Sequence, residues 1–320
     1  MAKLELTLRP KTLSDKVRAF VLCRNTVGLD THIETGEQSG ASMERFTEVA
    51  SQLGADVAND MATFAEIVPE AMTNGKWSFA FGRGLAAGAS NRRQTWSRLL
   101  DVLESIPPQH RRIDVLEGYL AWLWNGDRPL ADEFFDAALE NPIVRPFFPD
   151  LQAAIKIDVR AANRLKRALD DGIAAIGSYA GLSMGRATEA LPAVSLRDLV
   201  LAIAAQSGGF DTALCVFSMH IWGSDRAAAI DPILIDTGRK LLGLAEFGKD
   251  AVSGDVQFAH VVKMTLATAD ARSVVTELMR RFEGAIERRQ ISWSDYPDLL
   301  CELFASHPEP VFDFHAFLRL

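Results

Sequence analysis

The stretch KWSFAFGRGLAAGAS, residues 76–90, decides how the rest of the sequence is interpreted. Aromatic residues lead directly into Gly82-Arg83-Gly84, and small residues follow as far as Ser90. A glycine-rich turn between a strand and a helix can bring backbone N–H groups against a pyrophosphate. The same glycines can instead let two helices approach closely, because they carry no side chain at the contact. The surrounding sequence has to decide between these two interpretations.

The composition indicates a folded protein without an extended nucleic-acid-binding surface. Of the 320 residues, 48% are hydrophobic and 24% are charged, which is typical of folded domains. The net charge of −8 disfavours a broad nucleic-acid footprint, since that requires Lys and Arg clustered on one face. Four arginine pairs are flanked by acidic or apolar residues and are interpreted as solvated helix faces: Arg92-Arg93, Arg111-Arg112, Arg280-Arg281 and Arg288-Arg289.

The cysteines and the chain ends bear on where the protein works. Cys23, Cys215 and Cys301 are too far apart for a CxxC metal pair and odd in number, which fits a reducing cytosol. We see no charged-then-apolar signal and no long apolar run, so we expect a cytoplasmic protein outside the membrane. The chain stops within an amphipathic pattern at residues 312–320. This ending predicts that the chain docks its end or belongs to a larger polypeptide or complex.

The hydrophobic pattern predicts an all-α fold with a short extended N-terminal arm. Leu4, Leu6 and Leu8 alternate with polar residues as in an extended arm, and residues 25–41 form a polar loop. We expect an N-terminal helical region at 1–75 and a helical-repeat domain at 76–320, with a possible subdivision near 142–150. Apolar residues at three- and four-residue intervals predict these helices: 43–53, 55–67, 95–106, 112–124, 129–140, 151–171, 196–205, 210–222, 226–235, 236–246, 256–267, 271–288, 299–306 and 311–318.

The second half of the chain repeats features of the first. Gly185-Arg186 repeats the Gly82-Arg83 step, and each is followed by two predicted helices. Trp124 and Trp222 end the second helix of each set. Each tryptophan is followed by three residues that include one polar residue, one glycine and one aspartate. Helix, short turn and helix in tandem predict an irregular α-solenoid, a superhelix of helical hairpins like TPR or HEAT arrays. The residues expected at the structural joints of the repeat are Trp77, Phe81, Gly82, Arg83, Gly84, Gly185 and Arg186.

The sequence contains no catalytic motif, and we expect no enzyme activity, metal or cofactor. The spacing in Gly82–Gly88 is that of a dinucleotide turn, but such a turn requires a βαβ unit that the helical neighbours do not supply. A nucleotide-binding enzyme that uses Gly82–Gly88, or a purely structural subunit, is the alternative to a protein-binding role. Aromatic and arginine residues dominate interface energetics. Trp124, Arg145 and Trp222 are therefore the candidate partner-binding residues.

Several packing motifs in the same order suggest a family. The motifs are FGRGLA (81–86), VLEGYL (115–120), FFPDLQ (147–152), the Gly-Arg step at 185–186 and GGFDTAL (208–214). Over residues 1–225 this order resembles the helical-repeat C-terminal regions of large bacterial anti-phage NTPases of the STAND or NACHT type. In that family the repeat region is a sensor that binds a foreign protein, while separate NTPase and effector domains act. The resemblance implies a sensing or scaffolding role here, without the NTPase domain.

Overall fold

A computed structural model of the protein describes residues 10–23, 39–222, 230–248 and 254–315. Within these ranges the regular secondary structure is helical and contains no strand, which confirms the predicted all-α class. The contacts divide the chain into two compact units, Met1–Ile155 (unit 1) and Lys156–Leu320 (unit 2). The predicted extended arm lies outside the described residues, as does most of the predicted polar loop.

From α2 onward, short segments connect the helices of unit 1. A π-helical turn, Arg18–Leu22, extends the first helix, and 3₁₀ turns lie at Pro108–His110 and Arg145–Phe147. In chain order, the α-helices are α1 (Leu13–Val17), α2 (Ser39–Val57), α3 (Met61–Asn74), α4 (Ser78–Gly88), α5 (Arg92–Ser105), α6 (Asp114–Gly126), α7 (Arg128–Glu140) and α8 (Phe148–Ala153).

The boundary between α2 and α3 differs from the prediction. The sequence predicts a break at Gly54, but α2 continues through this residue to Val57. The next helix begins after Asp60, whose carboxylate accepts hydrogen bonds of 3.2 Å from the N–H groups of Ala62 and Thr63. An aspartate at this position satisfies two of the backbone donors that a helix start leaves unpaired. The cap therefore sets the boundary, and Gly54 has another role.

Residues 78–88 form helix α4. Trp77 immediately precedes the helix, and its backbone N–H donates a hydrogen bond to the backbone carbonyl of Val21 over 3.1 Å. Ser78 begins the helix, and its buried hydroxyl donates to the carbonyl of Ala71 over 2.7 Å. Most of the helix is buried, as expected of a helix that carries small and apolar residues on almost every face.

Helix α4 packs against α2 with backbone in contact with backbone. A Cβ atom added at Gly84 would lie well under 3.0 Å from the carbonyl oxygen of Ser51. The contact is reciprocal, because a Cβ atom at Gly54 of α2 would meet the carbonyl oxygen of Phe81 at a similarly impossible distance. Glycines on both helices are therefore required for this approach.

The opposite side of α4 packs in the same way against α6. A Cβ atom at Gly82 would collide with the carbonyl oxygen of Val115, and one at Gly118 would collide with that of Phe79. Because neither partner atom belongs to a flexible side chain, rotamer changes cannot relieve the collision. Helix α4 thus packs closely against α2 on one side and against α6 on the other, and only glycine allows the approach at either interface.

An aromatic cluster fills the space beyond these contacts in unit 1. The ring of Trp96 in α5 stacks on Phe134 of α7, with 5.0 Å between ring centroids, and lies 5.8 Å from Tyr119 of α6. The Tyr119 hydroxyl donates to the carbonyl of Arg92 over 2.8 Å, so its polar end is satisfied. The cluster joins α5, α6 and α7 into one core.

The helices of unit 2 follow a second set of caps and turns. Further 3₁₀ segments lie at Ile176–Ser183, Ala269–Ala271 and Trp293–Asp295. The described α-helices are α9 (Val159–Asp170), α10 (Ala193–Ala204), α11 (Phe210–Ile221), α12 (Pro232–Gly243), α13 (Asp255–Thr265), α14 (Arg272–Glu287), α15 (Pro297–Ser306) and α16 (Pro308–His315).

Two predicted helices of this part of the chain have different bounds. Residues 151–171 are predicted as one helix, but α8 ends at Ala153 and α9 begins after Asp158, whose carboxylate accepts from the N–H of Ala161 over 2.8 Å. The predicted break at residues 235–236 is absent, because α12 runs without interruption to Gly243. The predicted end of α9 is confirmed, since Gly172 follows it with φ +61°.

Phe247 belongs to an aromatic cluster in unit 2. Its ring stacks on Phe258 of α13 at 5.2 Å and meets Phe282 of α14 edge to face at 5.0 Å. Tyr296 makes a further edge-to-face contact with Phe247 at 5.3 Å. The segment after α12 is therefore fixed against α13 and α14.

The division of the chain falls close to one predicted boundary. It lies between Ile155 and Lys156, a few residues after the predicted subdivision near 142–150. Residues 75 and 76, where the sequence analysis separates two regions, lie inside unit 1. Helix α4 begins directly after this point and packs between α2 and α6, so the two predicted regions share one core here.

We predict that Gly84→Ala destabilises unit 1 by at least about 2 kcal/mol, because the new methyl group must displace the backbone of α2. The matched control is Gly126→Ala at the end of α6. A Cβ atom there has only an ordinary contact, 3.6 Å from the Trp122 ring. Since alanine is the better helix former, this control should be neutral or slightly stabilising.

Urea unfolding followed by far-UV circular dichroism measures both variants. Equal free energies of unfolding for Gly84→Ala and Gly126→Ala would contradict the backbone contact between α4 and α2.

Candidate functional site

The Gly82–Gly88 stretch has no geometry for binding a phosphate. In the interior of an α-helix each N–H donates to the carbonyl four residues earlier, so these amides are already used by α4. The space in front of Gly82 and Gly84 is filled by the backbones of α6 and α2, and Gly88 faces the backbone of Ala55. The three glycines serve helix packing in this structure, as one of the two interpretations of the sequence proposes.

The second Gly-Arg step has a different structure from the first. Gly82-Arg83 lies in the middle of a helix, whereas Gly185 and Arg186 both have φ +56° in a turn. Apart from Gly185 itself and its two chain neighbours, none of the described residues has an atom within 4 Å of the position of a Cβ atom at Gly185. The amine of Lys156 donates to the carbonyls of Gly185 and Arg186, over 3.3 and 3.0 Å. The two steps match in sequence but do not occupy equivalent positions.

The other residues predicted at the repeat joints lie at the start and in the middle of α4. Phe81 is fully buried, and Trp77 stacks on Phe46 of α2 with 5.8 Å between the ring centroids. Arg83 is exposed. Trp77 and Phe81 thus contribute to the packing of unit 1, while the Arg83 side chain faces solvent.

Two tryptophan–arginine pairs lie where α6 ends. The guanidinium carbon of Arg128, in the first turn of α7, lies 3.0 Å from the ring centroid of Trp124. Arg92, at the start of α5, lies 4.7 Å from the ring centroid of Trp122 in the same way. Both tryptophans are half-buried. We call these four residues, Arg92, Trp122, Trp124 and Arg128, the Trp–Arg corner.

The predicted partner-binding residues belong to both units. Trp124 is part of the Trp–Arg corner, and Arg145 is exposed on the 3₁₀ turn between α7 and α8. Trp222 lies in unit 2 directly after α11, with 49% of its surface exposed, and its ring centroid lies 4.8 Å from that of His260.

The histidines near Trp222 lie in helices and are half-buried. Nδ1 of His220 lies 3.2 Å from the hydroxyl oxygen of Thr188. Burial lowers the pKa of His220 and the pKa of His260 below the ordinary value of 6.5. Within the described ranges, no three His, Cys, Asp or Glu side chains are placed to hold a metal ion.

The pKa of the Glu117 carboxyl group in α6 is strongly raised. Burial, with further contributions from the negative charges of Asp114 and Asp150, raises the pKa of Glu117 to about 8. The nearby Arg112 opposes this shift only weakly, because its guanidinium is hydrogen-bonded to Asp114 over 3.0 and 3.2 Å. The folded protein therefore binds a proton at Glu117 at a much higher pH than the ordinary value of 4.5 would allow.

Four arginines come together at one cleft of unit 2, which the sequence analysis did not predict. Arg280, Arg281, Arg288 and Arg289 line it together with Gly284. The signal in the sequence is the spacing, since residues four and eight positions apart share one face of a helix. We call this opening the arginine cleft.

Comparisons with models of known protein families, with curated proteins and with solved structures find no match to this chain. In the parts of the chain that the structure describes, no helix combines the length and apolarity needed to cross a bilayer.

We predict that Glu117→Gln stabilises the protein increasingly as the pH rises from 5 to 8. Because the folded state raises the pKa of this carboxyl, its contribution to stability is complete below about 4.5 and is lost as the pH rises through about 8. Glutamine has the same shape and no charge, so the variant avoids this loss. Urea unfolding of both proteins at several pH values gives the difference in the free energy of unfolding.

Glu104→Gln, at an exposed glutamate of α5, is the matched control for the loss of one carboxylate. A Glu117→Gln difference that follows this control over the pH range would show that burial does not raise the pKa of Glu117.

Proposed function

We propose that this chain is a protein-binding module that acts as a sensor or scaffold and performs no chemical step of its own. The observation that supports the proposal is the Trp–Arg corner of unit 1. Tryptophan and arginine are the residue types that most often dominate the energy of protein interfaces. Here they occur in stacked pairs with part of each tryptophan open to solvent.

Stacking of the arginines on the tryptophans also lowers the entropy cost of binding a partner. An arginine side chain ordinarily loses rotamer freedom when a partner binds. Arg128 already lies against the Trp124 ring, and Arg92 is held by the Trp122 ring and by a hydrogen bond of 3.3 Å from Nε to the carbonyl of Ala86. Less freedom is then lost on association. The corner offers flat aromatic area and guanidinium groups in fixed orientations to a partner with acidic or carbonyl groups.

The sequence supports the proposed superhelical arrangement, the role in defence and the cytoplasmic location. Tandem helical hairpins with short connections support a superhelical arrangement, and Asp127 alone separates α6 from α7. The resemblance to the sensor regions of bacterial anti-phage NTPases supports a role in defence, in which this chain recognises a foreign protein. We place this work in the cytoplasm, alongside an NTPase that belongs to a larger polypeptide or complex.

We predict that two variants of unit 1, Trp124→Ala and Arg145→Glu, weaken binding to the protein partner by about tenfold or more. The partner is first identified by crosslinking in phage-infected bacteria, and the affinity is then measured with both purified proteins. Arg145→Glu is informative because the side chain is exposed and its replacement leaves the core intact.

The matched control is Met61→Ala at the start of α3, since this side chain is also exposed on unit 1. It should bind as the wild type does. Recovery of no specific partner would favour a purely structural subunit and count against the proposal. If Trp124→Ala and Arg145→Glu both bind as tightly as Met61→Ala, the binding surface lies elsewhere.

A further inference from the structure

The arginine cleft of unit 2 has the dimensions of a small-molecule site. Its volume is about 840 Å³, within the range of known ligand pockets. One wall is the last part of α14 and the residues after it, and the other is the segment Ala245–Gly248 with Asp211 of α11. Phe247 in this segment packs on Phe282 of α14, so the two walls are fixed relative to each other.

Two of the arginines are held in place by one carboxylate. Glu277 accepts hydrogen bonds from Nε and Nη2 of Arg280, over 2.8 and 2.7 Å, and from Nε of Arg281 over 2.8 Å. These hydrogen bonds lower the pKa of Glu277 to about 2, and those from Arg280 make the largest contribution. A guanidinium has five N–H donors, so both groups keep donors for a ligand after pairing with Glu277. The carboxylate therefore orients two cations without using their full binding capacity.

Gly284 makes room for the third arginine. It lies four residues after Arg280 and four before Arg288, on the same face of α14. A Cβ atom at Gly284 would lie 3.1 Å from Nη1 of Arg288, closer than most real contacts of this kind. The Arg288 side chain thus lies back over the helix, and its Nε donates to Oε1 of Gln290 over 3.0 Å.

The fourth arginine occupies a backbone position that normally favours glycine. Helix α14 ends with two characteristic hydrogen bonds, from Arg289 N–H to Ile286 and from Gln290 N–H to Ala285, over 2.8 and 2.9 Å. Helix α9 ends with the same pair of bonds, and there the residue with positive φ is Gly172. Arg289 has φ +57°, which a residue with a side chain adopts only at a steric cost.

No contact inside the described part of the protein accounts for this choice. Arg289 lines the cleft, and its guanidinium makes no hydrogen bond or ion pair with the residues that the structure describes. A glycine would complete the helix end without strain. The arginine therefore adds a charge to the cleft at a backbone position where the fold itself favours another residue.

We propose that the arginine cleft binds a small phosphorylated molecule. The planar, fixed donors of arginine match phosphate oxygens, and four of them at one opening can hold two phosphate groups. The carboxylates of Asp211 and Glu246 also line the cleft and repel anions. The exposed Glu246 carboxylate is suited to accept hydrogen bonds from hydroxyl or amino groups, so the ligand has an organic part that carries such groups. The site goes beyond the proposed function, because it lies in unit 2 and requires no protein partner.

The test measures binding of inorganic pyrophosphate and of ATP to the full chain by isothermal titration calorimetry at constant ionic strength, since screening alone changes the affinity of exposed charges. The wild type should bind both probes saturably. Arg289→Gly and Arg280→Gln should each weaken binding by about tenfold or more.

Arg289→Gly also separates a ligand role from a structural one. Because glycine suits the end of α14, this variant should melt at the wild-type temperature or higher while it loses affinity. Arg272→Gln at the start of α14 is the matched control, since this arginine is outside the cleft and its side chain is 60% exposed. It should leave the affinity unchanged.

Three results would overturn the assignment. The first is a wild-type chain that binds neither probe at millimolar concentration. The second is binding that survives equally in Arg289→Gly and Arg280→Gln. The third is a poly-glutamate peptide that binds in the cleft and is not displaced by pyrophosphate, since the site would then be for an acidic protein segment.

Discussion

Helix α4 contacts α2 and α6 through backbone atoms, and the core of unit 1 is arranged around these two contacts. Carbonyl oxygens of one helix lie where the next helix would otherwise carry a Cβ atom, at Gly84 on one side and Gly82 on the other. Interiors are packed too densely for such a collision to be absorbed by small shifts. The aromatic cluster around Trp96 then fills the volume beyond the contacts. Small residues set the distance between helices, and large ones complete the core.

Local signals in the sequence predicted the class of fold and many helix ends, because they act over a few residues. Gly172 after α9 is one example, since a left-handed residue at a helix end favours glycine wherever the helix lies. Gly54 shows the limit. Its sequence environment resembles a helix break, and only the carbonyl of Phe81, supplied by another helix, explains why a glycine is needed in mid-helix. Gly185 fails as a repeat of Gly82 for the same reason, since sequence similarity does not specify the neighbouring backbone.

The proposed binding surfaces could be predicted only in part. Trp124 was identifiable as a candidate from its residue type and its place before a turn, whereas its pairing with Arg128 depends on the angle between α6 and α7. The arginine cleft was not identified, because its second wall comes from Ala245–Gly248, far from Arg280 in the sequence. In both places an arginine is oriented by a neighbour, Trp124 or Glu277, before any ligand arrives. Such orientation reduces the entropy that binding must overcome.

Residues Gly82–Gly88 lie within a buried helix and do not form a ligand-binding turn. Hydrogen–deuterium exchange of the amides in α4, followed by mass spectrometry, tests this most directly. We expect these amides to exchange only when unit 1 unfolds, with the free energy that urea unfolding gives. Exchange at the rate of an exposed loop, slowed by added nucleotide, would contradict the buried helix and restore the nucleotide-binding interpretation.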